Sequence, residues 1–130
     1  MRKILLIAAL IAGCGQTMIS AACAQQQAPA QLLSAILCDS RAQIEALVQA
    51  FDGDAAAALA AVNGARNPPP CAPLRVLAVA GEELGRVRRG GVTYAVTRVT
   101  VLAVEDNGLL RPVAPSEQYT VFELGRDVDA

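Results

Sequence analysis

The sequence predicts an α+β domain: two short N-terminal helices packed on a four- to five-stranded antiparallel meander or partly closed barrel. Three observations carry that expectation. Apolar residues recur at helical spacing between positions 44 and 51, and Val/Thr-rich runs follow from position 74 onward. Two-residue turns at Gly90-Gly91 and Asn107-Gly108 can join those runs as hairpins. Helices first and strands afterwards is the order of an α+β fold, since a parallel sheet would alternate them.

The chain opens with an export address. Arg2 and Lys3 form a positive start, Ile4 to Ala12 an apolar stretch, and Ala22-Cys23-Ala24 a small-residue cleavage pattern. Residues 1–24 are therefore read as a signal peptide. An overlapping signal, Ile11-Ala12-Gly13-Cys14, resembles the lipobox of bacterial lipoproteins, in which Cys14 would be acylated. Cleavage after Ala24 leaves two cysteines, one pair; acylation at Cys14 leaves Cys23 beside that pair. Both routes lead out of the cytoplasm, to a soluble periplasmic product or to one anchored by lipid at the outer membrane.

Residues 25–37 read as a linker or tail, with a Gln run, a proline and no periodicity. Residues 38–126 read as a single domain. Ser40-Arg41-Ala42-Gln43 fits a capping box, in which serine and glutamine each satisfy an orphan amide. Ile44, Leu47, Val48 and Phe51 then form one apolar stripe. Asp52-Gly53 ends that helix, and Asp54 caps a second, AAAALAAV, closed by Asn63-Gly64. The NPPPCAP segment at 67–73 excludes regular structure, because consecutive prolines remove donors and fix φ.

Strand candidates follow at 74–80, 82–89, 92–106, 109–114 and 119–124. The 92–106 run changes phase from Val92, Tyr94, Val96 to Val99, Val101, Ala103, which predicts a β-bulge near Thr97-Arg98. Pro112 marks the 109–114 strand as an edge, since proline cannot donate to a ladder.

Composition removes several chemistries. Neither histidine nor tryptophan occurs, so Ser-His-Asp and Cys-His catalysis and His-ligated zinc have no basis here. Without residues 1–24 no lysine remains, which excludes Schiff-base chemistry and P-loop phosphate binding. Nine arginines against twelve Asp and Glu make the remainder mildly acidic, the wrong sign for a general nucleic-acid binder. No cofactor is expected, and membrane contact is expected only through the signal or a lipid anchor.

Cys38 and Cys71 are the expected disulfide, pinning the helices to the start of the sheet. The Asp52-Gly53-Asp54 triplet lacks the further ligands of a calcium loop and reads as a turn plus a helix cap. Glu82 and Glu83 are adjacent and point to opposite faces of a strand, which separates them as an acid/base pair. If Gly90-Gly91 closes its hairpin, Arg88 lies opposite Thr93 and Arg86 opposite Ala95. A strip of Arg86, Arg88, Thr93 and Thr97 could then grip a phosphate, a carboxylate or an acidic partner.

The stretch CDSRAQIEALVQAFDGDAAAALAAVN, followed by PPCAPLRVLAVAGE and a long Val/Thr strand, resembles small uncharacterised exported proteins of proteobacteria over roughly residues 38–124. The resemblance implies a secreted, disulfide-linked domain and supplies no site residues. The expected function is a small exported, non-catalytic envelope module that binds an envelope protein or an anionic ligand. Alternatives are an inhibitor or subunit of a larger envelope protein, and an enzyme acting on glycans with carboxylates alone.

Overall fold

The computed structural model describes residues 28–127. Residues 1–24, expected to be a signal peptide and including Cys14, and the Gln run lie outside the described residues. Six elements follow in order: β1 (Ala30–Cys38), α1 (Arg41–Ala50), α2 (Ala55–Asn63), β2 (Cys71–Arg89), β3 (Val92–Asp106) and β4 (Leu109–Arg126). The strands form one antiparallel sheet in the order β1-β2-β3-β4, and a single pair between β1 and β4, Cys38↔Tyr119, closes it into a small barrel. Both helices are inserted in the β1–β2 connection, so the expectation that they stand at the N-terminus of the domain is corrected.

The expected linker over 25–37 is corrected from residue 30 onward, because Ala30–Cys38 is a strand paired along its length with β2, from Ala30↔Val79 to Cys38↔Cys71. Its residues show no alternation because both faces are covered near its end. Leu37 enters one core cluster and Cys38 the other. The folded unit therefore starts before residue 38.

Of the expected strands, 74–80 and 82–89 fuse into β2, which already starts at Cys71 inside the segment expected to lack regular structure, and 109–114 and 119–124 fuse into β4; no fifth strand occurs among the described residues. Register shifts between Ala80 and Glu83 and between Glu83 and Gly85 let β2 bend without breaking. The bulge expected at Thr97-Arg98 is on the partner strand instead. Thr97 and Arg98 themselves pair regularly with Thr120 and Tyr119. The phase slip in β3 records a change of covered face: Val96 joins the cluster under the helices, whereas Val99 and Val101 join the cluster on the opposite face.

Local chemistry accounts for the helix ends and turns. The Gln43 backbone N–H donates to Ser40 Oγ at 3.2 Å, but the reciprocal half of the capping box does not form: Gln43 Oε1 is buried without a partner. Asp54 caps α2 by accepting from the Ala57 N–H at 3.1 Å. At the other end of α2, Asn63 holds β2 in place. Its amide donates to the Cys71 carbonyl and its carbonyl accepts from the Cys71 N–H, each at 2.9 Å. Asn107 and Gly108 take φ of 53° and 81°, the left-handed pair that a tight hairpin needs. Pro112 lies opposite Ala103 of β3, in the stretch of β4 that β1 does not pair with, since β1 meets β4 only at Tyr119.

Candidate functional site

Cys38 and Cys71 are directly opposed in the β1–β2 ladder, and their sulfurs are bonded. Both are fully buried in the cluster that holds Ile44, Leu47 and Ala58, so the bridge ties the helix pair to the sheet beneath it. A thiol in that position has no access to a substrate.

Above this staple the packing is incomplete. The second helix is AAAALAAVN; its Leu59 and Val62 pack against the core, but Ala55 and Ala58, the α2 residues that line the adjoining space, are too small to fill it. Protein interiors are otherwise packed as tightly as organic crystals. A half-open cleft of about 240 Å³ is left between α1, α2 and the sheet. Its walls are Leu47, Val48 and Phe51 from the first helix and its cap, and Ile36, Tyr94 and Val121 from three strands. The only polar side-chain atom in that lining is the Tyr94 hydroxyl.

Phe51 and Tyr94 are shared with a second cleft of about 330 Å³ that is polar. There the α1–α2 turn, Asp52-Gly53, faces the first hairpin, Arg89-Gly90, and Arg126 of β4. Arg89 donates from Nε to the Phe51 carbonyl at 3.0 Å. Arg126 pairs with Glu123 at 3.1 Å. The apolar cleft thus opens beside a rim that carries two guanidinium groups and one carboxylate, Asp52.

The expected strip forms in register and is not an open patch. Arg88 lies opposite Thr93 and Arg86 opposite Ala95. Arg86 is bound to Glu83 at 2.9 Å, and that hydrogen bond and charge raise its pKa above the ordinary arginine value. Arg88 is paired with Asp127. Thr97 is buried, with its hydroxyl turned to the Ala95 carbonyl at 3.4 Å. Arg89, outside the strip, is the residue that sequence reasoning passed over. Strand parity carries the signal: two positions from Val87, it falls on the Val87–Tyr94 face, toward the helices.

Comparison with family models, with curated proteins and with solved structures finds no match for this chain.

Proposed function

We propose that this chain is a small exported, non-catalytic binding module of the cell envelope, and that its ligand enters the cleft under α2. The alanine-roofed opening carries this reading. Ligand sites are concave, mostly apolar and bordered by a few polar groups, and this cleft with its rim has that composition. The buried disulfide suits an oxidising compartment, as does the export-type pattern read in residues 1–24. The glycan-enzyme alternative draws less support, because the rim carries one carboxylate and glycoside hydrolysis needs two facing each other.

The test is to express the full chain and recover it from the envelope fraction. Intact mass should show a chain starting at Gln25 or an acylated Cys14, and a broad hydrolase and oxidoreductase screen should show no turnover. An unprocessed Met1 would defeat export, and a turned-over substrate would defeat the non-catalytic reading. A second reading, a subunit docked on a larger envelope protein, draws on Leu109 and Leu110, exposed beside the second hairpin turn. Co-purification under mild detergent that Leu109→Ser and Leu110→Ser together abolish would support it.

A further inference from the structure

We propose that the cleft takes the hydrocarbon tail of a single-chain amphiphile and that Arg89 holds its anionic head. The inference rests on the binding reading above and names the ligand class.

The first observation is size. At about 30 Å³ for each water-sized group, a volume of about 240 Å³ accepts roughly eight such groups, the tail of a medium-length acyl chain. The second is continuity. Because Phe51 and Tyr94 wall both clefts, a chain lying under α2 ends at the Arg89 rim. The third is charge. Among the described residues, seven of the nine arginines have a carboxylate within 4.0 Å. The two that do not are Arg66 and Arg89. Arg66 is spent on the last carbonyls of α2, bonding Val62 at 2.6 Å and Asn63 at 3.3 Å.

Arg89 uses only Nε, on the Phe51 carbonyl. That bond orients the guanidinium at the cleft edge and leaves its remaining donors for an oxyanion. A planar fork of donors beside an apolar wall matches a carboxylate or a phosphate head. Asp52 on the same rim works against an anion, so its removal should act with the opposite sign.

The experiment uses the exported protein and three probes below their micellar concentrations: decanoate, decyl phosphate and decanol, with binding read by calorimetry and native mass spectrometry. Decanoate and decyl phosphate should bind with one site per chain, and the tighter of the two identifies the head group. Arg89→Gln should weaken both anions at least tenfold and leave decanol unchanged, and Asp52→Asn should tighten them. Ala58→Leu should block all three. If that variant fails to fold by circular dichroism, Ala55→Leu at the exposed rim serves the same purpose. Decanol binding as tightly as decanoate would overturn the head-group assignment and leave the cleft as a site. Anion binding that survives both plugs would place the ligand elsewhere and overturn the inference. No binding of any probe to folded protein would overturn the inference together with the cleft reading it rests on.

Discussion

Breaking the Cys38–Cys71 bond tests the staple, and its effect can be worked from the structure. The bond links residues 33 apart, and the loop it closes contains both helices. In the chain-entropy description, opening a loop of that length returns about 4 kcal/mol of freedom to the unfolded state. Measured losses run nearer 2–4 kcal/mol, against a total of about 5–15 kcal/mol for a domain of this size. Both cysteines are fully buried among apolar side chains. Alanine replacements thus isolate loss of the bond, whereas serine adds a hydroxyl to desolvate, at about 1–3 kcal/mol each.

Cys38→Ala, Cys71→Ala and the double variant should therefore lose similar amounts, because the bond is broken only once. Cys38→Ser and Cys71→Ser should fall further. The midpoint should drop on the order of 10–25 °C. With no tryptophan in the chain, urea and thermal unfolding are followed by far-ultraviolet circular dichroism. A double alanine variant as stable as wild type would refute the entropic argument. Iodoacetamide labelling of Cys38 in native, unreduced protein would refute the staple itself.

Three further perturbations test the frame around the cleft. Gly108→Val should cost about 1–3 kcal/mol, since Gly108 sits at φ of 81°, whereas Gly125→Val, with open space around it and extended backbone, should stay within about 0.5 kcal/mol by the same unfolding assay. Asn63→Ala removes both bonds that tie α2 to Cys71 and should cost about 1–3 kcal/mol, with faster amide exchange at Cys71. Thr120→Val keeps the shape of a fully buried side chain but deletes its 2.8 Å bond to the Ile36 carbonyl across the β1–β4 closure; a loss of about 1–2 kcal/mol is expected, and no change would show that this bond does not hold the barrel shut.

The features readable in the sequence are those set by neighbours along the chain. Ser40 and Asp54 mark helix starts because a side-chain oxygen reaches an amide three residues on. Asn107-Gly108 marks a hairpin because few residue pairs tolerate left-handed backbone. The pairing of Arg88 with Thr93 and of Arg86 with Ala95 follows from a two-residue turn at Gly90-Gly91 and strict alternation. Cys38 and Cys71 could be matched because, once residues 1–24 are set aside, no other cysteine remains.

Tertiary structure decided what depends on residues far apart. β1 looks like a tail because its partner begins more than thirty positions later, its first residues are exposed and its last two bury opposite faces, which erases alternation. The Thr97 hydroxyl reads as a surface group until the opposite face of β3 is seen to be covered. The cleft is a volume that α2 does not fill, and a missing side chain leaves no periodic trace in sequence. The standing of Arg89 was decided last. Sequence counts its charge alongside eight other arginines; Arg41, Arg86 and Arg126 have carboxylates three or four positions away, but only the fold brings Glu105 to Arg75, Asp127 to Arg88, and Glu82 and Glu117 to Arg98, and leaves Arg89 on a backbone carbonyl.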